Sequence, residues 1–271
     1  KDYHIEMLSV GAADAFILYV IDKQNNEHLI LIDAGNYKDG DKIINHIRKY
    51  YNNPVIDLAI VTHCDDDHYG GFVRMLEKLS NGDRDAITIR QFWVNDPGKN
   101  HIDVNDVKYV NSRPVVNNRA REIYNCRDLN LLELIDSLRI PRTEKFAESI
   151  NNGYGLPPII RPDFHFTFLY IIGPTKAYYE ELIPKFRDDL KYKESDNMYN
   201  ESTDIATNDS LSPTLDAADD DSSAHNQSSM IVLFQPQENK RYLFMGDAGR
   251  EAFDRIPLYH KLTITNVDWL K

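Results

Sequence analysis

Apolar positions along this chain recur first with a period of two and then at helical spacing, and the changeovers predict its elements. Residues 4–10 and 15–21 alternate or run apolar like paired strands, with 11–14 as the turn between them. A third strand is expected over 29–33 and a helix over 39–51. Leu58-Ala59-Ile60-Val61 is short and wholly apolar, the pattern of a buried strand, and a further strand is expected over 87–94. Helical spacing returns between 118 and 138, at Ile123, Leu131, Leu134, Ile135 and Leu138, and Pro141 stops that helix. Residues 164–172 are strongly β-prone and end at Gly173-Pro174, a helix follows over 175–186, and two strands come at 230–235 and 241–245. Two successive rounds of strands and helices suit an α/β sandwich with its sheets inside.

The pattern lapses over 187–224, where Asp, Ser, Asn and Thr dominate and Asp219-Asp220-Asp221-Ser222-Ser223 nearly closes the run. Such a segment buries too little apolar surface to order itself, so it reads as a flexible acidic insertion on the surface of a single domain over 1–271. An acidic substrate mimic or partner-docking loop is the alternative. Composition agrees with one large folded domain: 271 residues, 42% hydrophobic, with 16 Tyr and 11 Phe. No apolar run approaches the roughly 20 residues of a membrane span, and the first residues lack the apolar core of a signal peptide. Two cysteines, Cys64 and Cys126, make no disulfide framework, which predicts a reducing, cytoplasmic setting. A net charge of −12 argues against broad electrostatic binding of duplex DNA. It does not exclude a nuclease whose phosphate contacts are metal ions and a few local cations.

The chemistry is concentrated in Val61-Thr62-His63-Cys64-Asp65-Asp66-Asp67-His68-Tyr69-Gly70-Gly71, directly after the buried strand. Adjacent aspartates repel one another unless a cation neutralises them. His63, Asp65, Asp67 and His68 are spaced so that a turn can converge all four on one point. The bland alternative is a solvated acidic turn with incidental histidines. Gly70-Gly71 would let the backbone approach the site before a helix over 72–79. Asp66 is expected to face water. Cys64 could bind metal, but alternation along the turn points it inward as a small core residue.

His63-x-Asp65-x-Asp67-His68 resembles the signature of the metallo-β-lactamase fold hydrolases, with Asp65 where many members carry histidine. The aspartate form is similar to the hydrolase domain of the ComEC competence proteins. Met7 to Leu18, with Gly11-Ala12-Ala13-Asp14 at its centre, looks like that family's opening strand pair, and Leu31-Ile32-Asp33-Ala34-Gly35 resembles its next motif. Asn226-Gln227-Ser228-Ser229-Met230-Ile231-Val232-Leu233, followed by Tyr242-Leu243-Phe244-Met245-Gly246-Asp247, looks like its late hairpin.

The resemblance implies an αββα sandwich, two mixed sheets face to face with helices outside, and two divalent ions. His63 and Asp65 would bind one ion and Asp67 and His68 the other, with Asp67 and His68 also at the reacting centre. Asp247 would bridge the two, against the alternative of an ordinary turn in Gly246-Asp247-Ala248-Gly249. A hydroxide held between the ions would attack the substrate. His225 would complete the first ion's shell, or stand as a free surface histidine beside the acidic insertion. Asp33 is expected to orient ligands by hydrogen bonding, with a turn or cap role as the alternative. Asp14 falls near the site by resemblance, though Gly-Ala-Ala-Asp also makes a plain hairpin turn. Zinc suits the histidines, and the oxygen-rich remainder also accepts manganese.

Members of the family carry one more histidine after a further strand. Residues 267–271 look like the strand leading to it, so the chain is expected to be a fragment of a longer one. The first functional expectation is a phosphodiesterase or nuclease acting on DNA or RNA. The alternatives are a hydrolase of a small ester, thioester or lactam, and a metal-stabilised interaction domain of a larger bacterial assembly, for example in phage defence. Lys99, Lys108, Arg113, Arg119 and Arg121 would form a cationic rim for nucleic acid, or scatter as solvated surface charge.

Overall fold

A computed structural model describes residues 2–22, 24–97, 125–126, 129–147, 163, 165–186, 223–257 and 267–270. Period-two alternation sets β1 (Tyr3–Met7) antiparallel to β2 (Phe16–Ile21), and β2 antiparallel to β3 (Glu27–Ile32). Helix α1 (Asp39–Tyr50) buries Ile43, Ile44 and Ile47 along one face. After β4 (Val55–Ile56), β5 (Leu58–Ile60) lies parallel to β3. Helix α2 (Asp66–Asn81) buries Tyr69, Phe72, Val73 and Leu76, one stripe at helical spacing, and ends on left-handed Gly82.

β6 (Thr88–Ile89) pairs with β4 in a small separate sheet, whereas β7 (Phe92–Trp93) joins β5. β8 (Asn125–Cys126) and β9 (Leu129–Asn130) pair with each other ahead of α3 (Leu131–Ser137). β10 (Arg142–Thr143) completes a six-stranded sheet of order β1-β2-β3-β5-β7-β10. A second sheet holds β11 (Leu169–Gly173), which is followed by α4 (Lys176–Leu182) and, further on, α5 (Ala224–Gln227). β12 (Ile231–Gln237) and β13 (Lys240–Phe244) continue it antiparallel, then come α6 (Arg250–Asp254) and β14 (Trp269–Leu270), the last strand parallel to β13.

Three apolar clusters turn these sheets into layers. Phe16, Leu18, Ile30, Ile60 and Trp93 of the first sheet meet Leu169, Met230, Val232, Phe234 and Phe244 of the second. The other face of the first sheet, with Ile17, Leu31, Ala59 and Phe92, packs on Ile44 and Ile47 of α1, Phe72 and Leu76 of α2 and Leu134 of α3. The other face of the second sheet, with Ile172, Leu233 and Leu243, meets Ile256 after α6. Each fully buried Leu, Ile or Phe contributes about 1.5–3 kcal/mol. Two mixed sheets face to face with helices outside is the expected sandwich.

Several boundaries differ from expectation. The turn helix starts at Asp66, not at 72, so Asp67 and His68 lie in its first turn and Gly70-Gly71 lie inside it. The reason is close packing: a Cβ on Gly71 would overlap the Ala34 carbonyl oxygen, so β3's exit and α2 touch backbone to backbone. The single strand expected over 87–94 is two short ones serving different sheets. Of the helix expected over 118–138, Asn125–Cys126 and Leu129–Asn130 are β8 and β9 and, among the described residues, only Leu131–Ser137 is helical, with residues 118–124 and 127–128 outside the described part. At the far edge of the acidic stretch, Ser223 Oγ accepts from Asn226 N–H and caps α5, so residues 223 and 224 belong to that helix. Residues 187–222 and the basic positions Lys99, Lys108, Arg113, Arg119 and Arg121 lie outside the described residues.

Candidate metal centre

β3 and β5 run parallel and end side by side, and their exits carry the chemistry. Asp33, one residue past β3, is buried with φ +54°, a left-handed backbone that aspartate tolerates in tight turns. That bend aims its carboxylate across at the exit of β5. Oδ1 accepts from Thr62 N–H at 2.9 Å, and Oδ2 accepts from Thr62 Oγ1–H at 2.7 Å and from His68 Nδ1–H at 2.8 Å. The backbone adds its own stitches: Ala34 N–H donates to His68 O at 2.8 Å and Gly71 N–H to Gly35 O at 3.0 Å. Asp65 enters α2 in an extended conformation, and His68 N–H donates to its carbonyl at 2.9 Å.

These bonds settle which imidazole nitrogens face the cluster. Thr62 spends its only hydroxyl proton on Asp33, so its oxygen accepts from His63 Nδ1, 3.1 Å away. His63 Nε2 is therefore a bare lone pair. It is buried and has no hydrogen-bond partner among the described residues. Burial also holds the His63 pKa down to about 3, with the positive field of His68 acting in the same sense, so the ring is neutral. His68 Nδ1 is committed to Asp33, which likewise turns Nε2 toward the cluster. Against burial, the largest single influence, the carboxylates of Asp33 and Asp247 push His68 up to about 11. The carboxylates of Asp33 and Asp247 on either side of this ring favour positive charge in the pocket.

His63, His68 and Asp247 each offer a donor atom, all lying within 4.8 Å of one another. His68 Nε2 stands 3.4 Å from Asp247 Oδ2, and the two imidazole rings are 4.1 Å apart at their centroids. Asp65, Cys64 and His225 make a second such group. Asp65 bridges the groups, with Oδ1 3.4 Å from His225 Nδ1 and Oδ2 3.8 Å from His63 Nε2. Asp14, Asp33 and His68 form a third, which places Asp14 beside the site. Asp67 belongs to none of the three. Its Oδ2 lies 3.9 Å from His68 Nε2, and burial together with the charges of Asp65 and Asp247 raises it above the ordinary carboxylate value. Asp66 is exposed, as expected.

Asp247 follows Gly246, whose φ of +56° and tight surroundings suit glycine alone: a Cβ there would sit 2.7 Å from Thr62 Oγ1. Asp247 N–H donates to Ser229 Oγ at 3.3 Å. His225 corrects the surface-histidine alternative. It is buried on α5 with its ring 4.8 Å from that of Phe186, and its imidazole faces Asp65. A histidine in a polar, aspartate-rich stretch looks exposed in sequence. The cap at Ser223 and the apolar partner Phe186 are what pull it in. Cys64 lies in the helix-side core, while its sulfur remains within reach of Asp65 and His225. Thr62 and Ser229 were not anticipated. Thr62 stands directly before the first histidine and Ser229 opens the late hairpin, but hydroxyls are too common to signal a role by themselves.

The donor set fits a divalent cation on the chemistry of its atoms: two neutral-capable imidazoles with fixed Nε2, carboxylates gathered against mutual repulsion, and one buried lone pair without a partner. Among the described residues, no helix is long and apolar enough to cross a membrane.

Compared with known proteins, residues 18–109 match the family model of the metallo-beta-lactamase superfamily. That segment runs from β2 through the exits of β3 and β5 and past β7, so it contains Asp33 and the whole histidine-aspartate turn. The mixed α/β architecture is consistent with that family's fold. No curated protein and no solved structure matches the chain.

Proposed function

We propose that this chain is a metal-dependent hydrolase of phosphodiester bonds with DNA or RNA as its substrate. One observation carries the reading: His63 Nε2 is buried and without a hydrogen-bond partner among the described residues, yet it joins His68 and Asp247 in one tight donor group. An unmet buried lone pair is costly unless something is meant to occupy it. The superfamily whose model matches is generally hydrolytic. The Asp65 form of the motif supports the narrower likeness to ComEC-like hydrolase domains, and with it nucleic acid.

In this reading His63, Asp65 and His225 hold one zinc or manganese ion, and Asp67, His68 and Asp247 hold a second. Bound divalent ions supply Lewis-acid polarisation of the phosphoryl oxygen and a water of lowered pKa. Asp33 keeps His63 and His68 in their ligating tautomers, the former through Thr62. Asp67 is the more open of the turn's ligands, with 40% of its side chain exposed against 2% for His68. It would meet the substrate at the reacting centre. A chain with only two cysteines, too few for a disulfide framework, fits work in a reducing, cytoplasmic setting.

The test incubates the protein with labelled single- and double-stranded DNA and RNA plus manganese or zinc. Metal-dependent cleavage that His63→Ala abolishes is the expected result. No cleavage with either ion, alongside turnover of a small ester, would replace nucleic acid with the small-substrate reading. Bound metal without turnover of either substrate would favour the interaction domain.

A further inference from the structure

At the opposite end of β3 and β5 from the donor cluster, where α1 ends, a cleft of about 240 Å³ opens to solvent. Its walls are the rings of His4, Tyr19, Tyr50 and Tyr51, with the carboxylates of Glu27 and Asp57 between them. The rings are fixed. His4 stacks on Tyr19 with centroids 4.9 Å apart and planes 24° apart, and Tyr19 and Tyr51 are 5.6 Å apart. His4 Nε2 lies 2.9 Å from the Tyr51 hydroxyl, which donates to Glu6, and Glu6 is also paired with His46. Tyr50 stands at the mouth, 61% exposed, one of few large apolar side chains left so open among the described residues.

The two carboxylates differ. Asp57 is committed to structure, since Oδ2 accepts from Leu29 N–H at 2.9 Å and Oδ1 pairs with Arg90 at 2.5 Å. Glu27 is exposed and accepts a hydrogen bond from the Tyr19 hydroxyl. Among the described residues no lysine, arginine or histidine forms an ion pair with it. The cleft thus offers several electron-rich ring faces and one carboxylate that no cation among the described residues pairs.

We infer that this cleft binds an organic ammonium ion, a quaternary or protonated amine, with its charged head against the faces of Tyr19, Tyr50 and Tyr51 and opposite Glu27. Ring faces attract cations through their quadrupole, and groups of aromatic rings are the usual recognition element for quaternary ammonium. Tyr50 already holds one such partner, since the Lys49 ammonium lies 4.8 Å from its centroid. Lys49 is not among the residues that line the cleft. An anionic ligand would face Glu27, Asp57 and a net charge of −12. A neutral apolar ligand would strip water from Glu27 and give nothing in return. The site shares no residue with the metal centre and stands independently of the hydrolase reading.

The test titrates choline into the protein, and separately its uncharged isostere 3,3-dimethylbutan-1-ol, following the backbone amides of Leu29, Tyr50 and Tyr51 by NMR. Choline is expected to shift these amides, and the alcohol to bind about tenfold more weakly or worse. Both side chains chosen for substitution are exposed, so the fold tolerates their loss. Tyr50→Leu keeps apolar bulk but removes a ring, and should weaken choline about two- to fivefold. Glu27→Gln should weaken choline while leaving the alcohol unchanged, and neither variant should alter metal content. The inference fails if the alcohol binds as well as choline, if choline leaves the three amides unmoved, or if both variants bind choline like the parent protein.

Discussion

The turn bearing His63 and His68 and the loop bearing Asp247 meet across one donor cluster, yet they are held differently. On the turn side both imidazoles have Nδ1 occupied, Asp33 and Thr62 are buried, and α2 lies too close to the exit of β3 for any side chain at Gly71. On the loop side Asp247 keeps 35% of its side chain in solvent, and its backbone reaches Ser229 Oγ at 3.3 Å. The difference locates the preorganisation. Both Nε2 atoms are aimed before any ion arrives, His63 with a bare lone pair and His68 with a proton that an ion would displace, while the carboxylate opposite has room to settle around it.

The harshest test of that contrast puts a methyl group on each side. Gly71→Ala drives a Cβ into the Ala34 carbonyl, a backbone atom with no rotamer to yield, and should cost about 3–5 kcal/mol. Gly246→Ala meets side-chain atoms of Thr62 and Ser229 at 2.7–3.0 Å, a looser approach than the 2.0 Å to backbone at Gly71, and adds the strain of a positive φ, so about 2–3 kcal/mol is expected. Urea midpoints measure both. Equal losses would mean that the loop is as tightly built as the turn.

Removing donors comes next. His63→Ala and Asp67→Ala should each weaken metal binding more than about 100-fold, since losing even an outer hydrogen-bonding partner costs 10–100-fold. Far-UV circular dichroism should stay unchanged, because neither side chain holds the core. Elemental analysis finding wild-type metal in both variants would remove the ligand assignment altogether.

How much of this was legible beforehand depends on where the physics was local. Strand β5 and the cluster after it could be read because an apolar run and a dense histidine-aspartate turn are properties of adjacent residues. The start of α2 was misplaced because Gly70-Gly71 reads as a breaker in one dimension. Only the distant Ala34 backbone explains glycines inside a helix. His225 looked exposed for the same kind of reason, its burial resting on Phe186 some forty positions earlier in the chain. Asp33 was anticipated as an orienting residue. Its left-handed backbone and its reach through Thr62 to His63 are tertiary facts that no spacing announces.

That relay gives the third prediction. Asp33→Asn swaps one accepting oxygen for an amide donor, so the side chain can no longer accept from Thr62 N–H, Thr62 Oγ1–H and His68 Nδ1–H as the carboxylate does. Metal affinity should fall about 10–100-fold. Because Asp33 serves both histidines, Asp33→Asn combined with Thr62→Val should be far less than additive. Full additivity in a double-mutant cycle would mean that His63 is oriented without Asp33, and the turn would then be less preorganised than its hydrogen bonds indicate.

The smallest effect belongs to the loop. Ser229→Ala removes the oxygen that accepts from Asp247 N–H and takes nothing from either imidazole. The exchanged bond is neutral and Asp247 stands partly in water, so its loss is worth about 1 kcal/mol, or roughly a fivefold drop in metal affinity. The parent's urea midpoint should shift little, since water can replace the hydroxyl beside an exposed carboxylate. If Ser229→Ala instead matched Asp33→Asn, Asp247 would be held as rigidly as the histidines, and the asymmetry between turn and loop would vanish. A loss confined to fivefold, with zinc and manganese affected alike, would leave the loop as the adjustable side that accommodates ions of different size.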